Sequence, residues 1–522
     1  MPAITLLSFL LAVTTAPIIP AGAVTDASAT RTGDSACRAS KRVIAVIVDG
    51  LRPDMITRSR MPALAALGQR GTTATAHHSI FPTVTRVNAA SLVTGTTPGG
   101  HGLLGNTIYL PAVTAERTLS TGSANDMRLA DSALSGRLLT APTIHDVLHQ
   151  RGLRSLVASA GSSGSAYVLG AGGHAVVLNT ELTIPAERHA TVLALLGEPP
   201  VEGRPNTARN ARAVDALLSI GLDSLCADVA YLWLSDPDHT THADGIGSVA
   251  SDASLTAVDA QIARLLAGLE ARGLRANTDV LVVSDHGFST HAGSDTRLRA
   301  VLAPFANDAV IAEGAVYFRT GHEHRLSALV VALQQSPEIG PVFTMDGASG
   351  TLRYDAIGWQ HARSGHLLFG SNWSHAANAA GWAGSTTQSG VAGHGSSSPY
   401  DVRATFLAAG PSFRRGIRTS VPTSNADVAP TVFALLGLPV PRTMDGRVVV
   451  EMLRRTPPAV ARARVQRDST VAETVVGDMR YRVTLHRSSV GRARYVDSTV
   501  TVRGPARPAA SVNTRGSESI AP

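Results

Sequence analysis

The sequence predicts a large α/β protein built around a mostly parallel β-sheet. The 522-residue chain is long enough for one large domain or for several smaller ones. Continuous apolar runs, which are typical of buried parallel strands, recur at residues 42–48, 155–158, 229–234, 280–283 and 405–408. Helical patterns lie between these runs, for example at 254–268 and 324–334, and a helix at 427–438 closes the core. Strands and helices that alternate in this way over about 400 residues indicate an α/β layer structure.

The composition excludes several classes of protein. With 44% hydrophobic and 16% charged residues, the chain is too apolar for a disordered tail or an acidic hub. Its net charge of +7 comes from residues 451–522, which hold 13 arginines and six acidic residues. The first 450 residues carry 33 basic and 33 acidic side chains. A neutral main body argues against nucleic acid as a specific partner.

The N-terminus has the pattern of an export signal. Residues 3–16 are uncharged and mostly apolar, and the small residues 21–23 follow them. This predicts a signal peptide over residues 1–23, a linker over 24–41, and a periplasmic or extracellular protein. Elsewhere the sequence has no apolar stretch of the ~18 residues that a membrane-spanning helix needs, so no transmembrane segment is expected. Cys37 and Cys226 permit one disulfide in an oxidising compartment.

Aspartates and histidines gather at the ends of the predicted strands, where open parallel sheets place their active residues. Asp49 follows the strand at 42–48. Further residues of this kind follow the next strands or precede the last one: Asp236, Asp238, His239 and His242, then Asp285 and His286, then His394. Asp and His are ligands of divalent metals. Each residue alone is more often a structural turn residue, but the ordered set indicates a metal site.

A candidate nucleophile lies in the segment from Phe81 to Gly95. Pro82 should break the chain and allow a short helix at 86–94, with Thr85 at its N-terminus, where free N–H groups favour an anion. A hydroxyl there can become a nucleophile if a metal lowers its pKa. Asn88, one turn further on, is expected to donate to a phosphoryl oxygen. The alternative is that Thr85 only caps the helix.

These motifs, in this order, resemble the alkaline phosphatase superfamily, most closely its type I phosphodiesterase/nucleotide pyrophosphatase branch. The resemblance covers about residues 42–450. It implies a three-layer α/β/α fold, two Zn²⁺ per chain, and a small phosphate ester or diester as substrate. Asp238, His242 and His394 would hold one zinc ion. Asp49, Asp285, His286 and the Thr85 oxygen would hold the other.

The resemblance also implies a mechanism in which Thr85 attacks phosphorus and forms a phosphothreonine that water then hydrolyses. The sequence departs from the branch at Arg86, where an aromatic residue is usual, and this argues against a nucleobase-stacking pocket. Arg86 could contact a phosphate oxygen, which would favour monoesters, or face solvent. Phosphate monoesterase and phosphonoacetate hydrolase activity therefore stay open as alternatives. Sulfatases are disfavoured because they need Cys or Ser at the position of Thr85.

The C-terminal region has a different character. Residues 457–505 are predicted to form a small β-rich appendage with strands near 480–485 and 493–502, and residues 506–522 a disordered tail. The basic excess of this region suggests a second hypothesis, a module that tethers the protein to anionic polymers. The alternative is that its arginines form a solvated face.

Overall fold

The computed structural model describes residues 40–455 and 464–506. The predicted signal peptide, residues 24–39 of the linker and residues 507–522 of the tail lie outside the described residues. Cys226 is disulfide-bonded, and Cys37 lies outside the described residues. Among the described helices, none is both long and apolar enough to cross a membrane.

A ten-stranded sheet forms the centre of the molecule. Its strands are Arg42–Val48, Thr72–His78, Ser155–Ser159, Val176–Asn179, Thr183–Ile184, Val229–Leu234, Thr278–Val283, Arg403–Ala409, Ile417–Thr419 and Thr423–Ser424. Arg42–Val48 lies between Val229–Leu234 and Thr278–Val283 and is parallel to both. Arg403–Ala409, whose apolar run is typical of a parallel strand, instead pairs antiparallel with Thr278–Val283. The sheet is thus mostly parallel, as predicted.

Helices cover both faces of this sheet. Alternate side chains of the first strand belong to two separate cores, with Val43 and Ile47 in one and Ile44 and Val46 in the other. A strand that is buried on both faces has to be apolar at every position, which explains its continuous apolar run. The α-helices are Pro62–Arg70, Thr85–Thr94, Pro98–His101, Ala124–Ala133, Ile144–Gln150, Ser163–Leu169, His189–Leu196, Thr207–Asp215, Asp238–Asp244, Val249–Ala271, Asp295–Leu302, Leu326–Gln335, Pro399–Val402 and Val428–Leu436. The predicted three-layer α/β/α fold is confirmed.

Smaller sheets are inserted before the last long strand of the central sheet. A five-stranded sheet contains Ala309–Ala312, Ala315–Phe318, Ile339–Thr344, Leu352–Arg353 and Leu367–Ser371. A four-stranded sheet contains Ser289–His291, Trp373–Ala377, Ala383–Thr386 and Ala392–Gly393. Thr107–Ile108 and Leu119–Ser120 form a short hairpin. The five-stranded sheet and the helix Asp295–Leu302 stand beside the loop that leads to Thr85, and they share a cavity with it.

The C-terminal region forms a separate antiparallel sheet of three strands, Val465–Val476, Met479–Val490 and Ala493–Pro505. The sequence predicts only the last two of them. The sheet packs on the rest of the molecule: Tyr481 is fully buried and donates a hydrogen bond to the carbonyl oxygen of Gly340 at 2.8 Å. The Tyr495 hydroxyl donates to Asp427 at 3.1 Å and accepts from Arg447 at 2.9 Å. The predicted C-terminal β appendage is thus confirmed as a separate sheet, and it packs on the rest of the described molecule.

Candidate active site

Three aspartates lie together because three parallel strands end at the same edge of the central sheet. Arg42–Val48 ends next to Asp49, and it pairs in register with strands that end at Leu234 and Val283. Asp285 lies two residues beyond the latter strand. Asp238 begins the helix Asp238–Asp244 after a short turn, so Asp238 and His242 are four residues apart on one helix face.

His394 reaches the same edge by a different route. It precedes Arg403–Ala409, which runs antiparallel to its neighbour Thr278–Val283. Because Arg403–Ala409 runs in the opposite direction, it starts at the sheet edge where Thr278–Val283 ends. The segment that precedes it, which contains His394, therefore lies at that edge. The adjacent Gly393 pairs with Ser289, which anchors this segment beside the Asp285 loop.

The structure brings the predicted metal ligands together in two adjoining groups. One group contains Asp238, His242 and His394, and the other contains Asp49, Asp285 and His286. Within each group the potential ligand atoms lie within 4.8 Å of one another. Asp238 Oδ1 is 3.3 Å from His242 Nε2 and 3.4 Å from His394 Nε2.

The second group is more deeply buried. His286 Nε2 lies 3.1 Å from Asp285 Oδ2 and 3.5 Å from Asp49 Oδ1. The rings of His286 and His394 stack with their centroids 3.4 Å apart, so the two groups are in direct contact. This arrangement is the one that the resemblance implies for two metal ions.

Each of the three histidines is oriented through its Nδ1 atom. Nδ1 of His242, His286 and His394 lies 2.9, 3.0 and 2.8 Å from the carbonyl oxygens of residues 392, 287 and 83, respectively. A carbonyl oxygen only accepts hydrogen bonds, so Nδ1 must carry a proton, and in the neutral ring Nε2 then keeps its lone pair. That tautomer directs Nε2 into the site as a metal ligand.

The three carboxylates have oxygen atoms that no other group satisfies. Asp49 Oδ1, Asp238 Oδ1 and Asp285 Oδ2 are buried and lack hydrogen-bond partners within the described part of the chain. Burial and the neighbouring Asp238 and Asp285 raise the pKa of Asp49 well above its usual range. Burial also acts to raise the pKa of Asp238, but His242 and His394 outweigh it and hold that pKa well below the usual range. Buried, unpartnered carboxylate oxygens that face histidine lone pairs fit divalent cations.

Thr85 begins the helix Thr85–Thr94, one residue earlier than the sequence predicts. The residue is 5% exposed, and its Oγ1 lies 3.3 Å from His286 Nε2. Val84, the residue before the helix, is extended, and its side chain makes no cap. The Thr85 hydroxyl therefore faces the group of Asp49, Asp285 and His286, as expected for a nucleophile that also serves as a ligand.

The structure corrects the role predicted for Asn88. Its Nδ2 donates to the carbonyl oxygens of Ile80 and Val84, both at 3.1 Å. Its Oδ1 accepts from the Ile80 N–H at 2.7 Å and from the Asn425 amide at 2.9 Å. The side chain is fully buried and saturated by these bonds, so it braces the turn before Thr85 instead of contacting substrate.

Asn106 lies beside the nucleophile helix, and the sequence reasoning assigned it no role. Its Oδ1 accepts a hydrogen bond from the Arg86 backbone N–H at 3.0 Å, which fixes the amide beside the helix N-terminus. Its backbone N–H and that of Thr107 donate to Glu313 Oε2 at 2.5 and 3.2 Å. The Gly105-Asn106 pair in the segment after the nucleophile helix was the available signal.

Two cavities flank the groups. The Thr85-side cavity has a volume of about 260 Å³ and is lined by Asp49, Thr85, Arg86, Ser162, Arg209 and Asp238, among others. The His394-side cavity, of about 380 Å³, is lined by His394, Val84 and the inserted helix and sheet. Arg86 is partly exposed and lines the Thr85-side cavity, with Nη2 3.3 Å from Ser162 Oγ.

Residues around the metal-ligand groups orient one carboxylate and shape the loop before Asp238. Trp233 Nε1 donates to Asp49 Oδ2 at 3.0 Å and orients that carboxylate. Asp236 accepts from the Thr240 hydroxyl at 2.7 Å and from the Asn206 N–H at 2.7 Å, so it shapes the loop before Asp238. His239 lines the Thr85-side cavity, where its Nε2 lies 3.4 Å from Glu202 Oε1.

Comparisons with known proteins agree with this arrangement. The model of the type I phosphodiesterase/nucleotide pyrophosphatase family matches residues 43–341, more than half of the chain. Venom phosphodiesterase CdcPDE of Crotalus durissus collilineatus is 25% identical over 242 residues, which cover 46% of this chain and 25% of the relative. The venom phosphodiesterase of Macrovipera lebetinus is 27% identical over 243 residues, with coverage of 46% and 25%. The chain thus matches about a quarter of the length of these relatives.

Solved structures share the fold. Human ectonucleotide pyrophosphatase/phosphodiesterase 5 superposes with a TM-score of 0.58 and 18% identity, covering 79% of this chain and 100% of the other. Wild-type alkaline phosphatase PafA gives a TM-score of 0.62 and 17% identity, covering 79% and 99%.

Proposed function

Because the chain belongs to the type I phosphodiesterase/nucleotide pyrophosphatase family, we propose that it hydrolyses small phosphoric esters, with Thr85 as nucleophile. The observation that carries this proposal is the position of the Thr85 hydroxyl. It lies at a helix N-terminus, 3.3 Å from His286 Nε2, beside two groups of Asp and His. A threonine that only caps a helix would not need six metal-ligand side chains around it.

The donor set fits two zinc ions. Asp49, Asp285, His286 and Thr85 would hold one of them, and the group of Asp238, His242 and His394 would hold the other. When bound, two divalent cations offset the charge of a phosphate ester and lower the pKa of a coordinated hydroxyl or water. The unpartnered carboxylate oxygens and the fixed histidine tautomers support this assignment.

The chain's own residues suggest two steps. Thr85 Oγ1 releases its proton to solvent and forms a bond to phosphorus, while the bond from phosphorus to the leaving oxygen breaks on the opposite side and that oxygen takes up a proton from solvent. A water then attacks the phosphothreonine from the side of Asp238, His242 and His394, the bond from phosphorus to Thr85 Oγ1 breaks, and Oγ1 regains a proton. Asn106, held by the Arg86 N–H, takes the phosphoryl contact first expected of Asn88. Helix N–H groups at Thr85 favour the anionic phosphoryl group.

A phosphodiester is the first candidate substrate and a phosphomonoester the second. Arg86 favours the second, because its guanidinium lines the cavity beside Thr85 and its Nε lacks a partner within the described residues. No Phe, Tyr or Trp is found among the described residues that line this cavity, so a nucleobase would not stack there. Phosphonoacetate remains a third substrate to test.

The decisive experiment compares Thr85→Ala with Thr94→Ala on zinc-loaded full-length protein. Thr94 is buried near the end of the same helix, where its hydroxyl donates to the Ala90 carbonyl oxygen and accepts from the Thr96 N–H, away from the metal-ligand groups. We expect Thr85→Ala to abolish hydrolysis of an aryl diester, an aryl monoester and phosphonoacetate, while zinc content stays near two per chain. Thr94→Ala should keep its activity. Acid-quenched wild-type protein should carry phosphate on Thr85 by mass spectrometry. Wild-type rates in Thr85→Ala would disprove the nucleophile assignment.

Export is part of the proposal and rests on the signal pattern of residues 1–23. Appearance of the full-length precursor, uncleaved, inside the producing cells would contradict it.

A further inference from the structure

The His394-side cavity is apolar on most of its surface. Leu298 and Leu302 line it from the inserted helix, Ile311 and Phe369 from the inserted sheet, and Phe81 from the loop before Thr85. Its volume of about 380 Å³ lies in the ~300–1,000 Å³ range of small-molecule pockets.

The charged residues on its wall are already engaged by the protein. Glu313 accepts from two backbone N–H groups, Glu338 Oε1 lies 2.6 Å from Arg297 Nη1, and Asp295 accepts from the Ser389 hydroxyl. Among the described residues, no Lys or Arg lines this cavity. It is therefore unsuited to a second phosphate or to a carboxylate, and suited to an uncharged apolar group.

The cavity shares its wall with one of the two metal-ligand groups. His394 belongs to both. His291, which also lines the cavity, adjoins His242: a Cβ atom on Gly393 would lie 2.8 Å from His291 Nε2 and 3.0 Å from His242 Cε1. The cavity thus adjoins the group of Asp238, His242 and His394, from whose side the proposed water attacks, and it also reaches Val84 beside Thr85.

From this placement we propose that the His394-side cavity binds the leaving alcohol of the substrate, and that this alcohol carries an alkyl or alkylaryl group. The inference rests on the proposed function, because an in-line displacement sends the leaving oxygen away from Thr85. The two cavities then divide the substrate. The cavity with Arg86 and Arg209 takes the polar, retained side, and the apolar cavity takes the departing side.

The test uses methyl aryl phosphodiesters in which the 4-position of the phenol carries hydrogen, ethyl or butyl. The chain scarcely alters the acidity of the phenol, so a change in kcat/KM reports binding. We expect about a fourfold rise for each fully buried methylene, and at least about tenfold from phenyl to 4-butylphenyl. Chains of the same length on the retained ester, as in butyl phenyl phosphate, should give no such rise. A flat 4-alkyl series, or an equal rise for the retained ester, would overturn the proposal.

Two variants on one helix locate the effect. Leu298 lines the cavity, whereas its neighbour Val301 packs in the same apolar cluster without lining it. We expect Leu298→Asp to bring the 4-butylphenyl to phenyl ratio of kcat/KM close to one, and Val301→Asp to preserve the ratio. Equal ratios in both variants would place the alkyl chain elsewhere.

A binding measurement separates this inference from the proposed function. On zinc-loaded Thr85→Ala protein, calorimetry with phenyl phosphate and 4-butylphenyl phosphate should give at least about tenfold tighter binding of the second probe. If 4-butylphenyl phosphate binds more tightly to Thr85→Ala but the wild-type protein hydrolyses none of the esters, the cavity assignment is upheld and the hydrolase function is rejected. Equal binding of the two probes would reject the cavity assignment, whatever the turnover.

Discussion

Replacing Trp233 by Phe should weaken metal binding without unfolding the protein. The Trp233 indole donates to Asp49 Oδ2 at 3.0 Å, and this leaves Oδ1 to face His286. A hydrogen bond to a buried charged group contributes about 1.5–3 kcal/mol, which corresponds to about 10- to 150-fold in an equilibrium constant. Its loss also raises the pKa of Asp49 further, so that protons compete with the metal. We therefore expect zinc to bind about 10- to 150-fold more weakly in Trp233→Phe.

The matched control is Trp359→Phe. Trp359 is also fully buried, but its Nε1 donates at 3.1 Å to the carbonyl oxygen of Leu104. Both changes remove one indole N–H and leave a similar void, so both should cost stability, while only the first touches a ligand. The assay is competition for zinc against a chromophoric chelator, with thermal unfolding to verify folding. Equal zinc affinities for Trp233→Phe and wild type would refute the reasoning.

Two further predictions concern separate parts of the molecule. The first concerns the hydrogen bonds between Glu313 and the loop of Asn106, and the second concerns the buried His145. Glu313→Ala should lower kcat for an aryl diester by about tenfold, because the N–H groups of Asn106 and Thr107 lose their acceptor, whereas Glu313→Gln, which keeps an acceptor, should recover most of the rate. Burial lowers the pKa of His145 to about 4, while the unfolded chain keeps ~6.5. The unfolded state therefore binds more protons between these values, and the free energy of unfolding falls as the pH falls from 6.5 to 4.

Each of these two predictions has its own check. Steady-state kinetics on both Glu313 variants decide the first, and equal losses in Ala and Gln would contradict it. For the second, denaturant unfolding of His145→Gln between pH 7 and 4 should show a slope smaller by up to ~1.4 kcal/mol per pH unit. A slope in His145→Gln equal to that of the wild type would contradict the assignment.

The sequence predicts the centre of the fold well because burial on both faces of a strand requires an apolar residue at every position. The runs at 42–48 and 229–234 match the observed strands, and Asp49 follows directly. Strand direction is not encoded in such a run. Arg403–Ala409 has the same apolar character and runs antiparallel, since its direction depends on the path of the chain between residues 284 and 402.

The C-terminal sheet shows the opposite case. Val465–Val476 contains five consecutive polar residues at 466–470 and is mostly exposed, so it has neither an apolar run nor a regular alternation to indicate a strand. It forms because it pairs along its whole length with Met479–Val490. Arg487 contacts Asp468, and Arg503 donates to the carbonyl oxygen of Ile339. Part of the basic excess that suggested a tether is thus engaged within the protein.

Asn88 and Asn106 show why a residue type alone does not assign a role. Both asparagines follow Thr85 closely, and one turn of helix seemed to favour Asn88. Its amide is used by Ile80, Val84 and Asn425, and the last of these lies 337 residues away in the chain. Contacts between distant segments decide which asparagine amide remains free to bind substrate. The spacing of residues along the chain does not reveal those contacts.

The two cavities connect the fold to selectivity. Thr85 and Arg86 belong to the core helix Thr85–Thr94, whereas Leu298 and Phe369 belong to the segment inserted between Asp285 and His394. In an in-line displacement the retained and departing groups lie on opposite sides of phosphorus, so they contact different parts of the chain. Changes in the inserted segment can then alter the preferred leaving group while the nucleophile and the buried Asp49, Asp285 and His286 stay in place. The polar and apolar halves of the substrate are thereby selected independently.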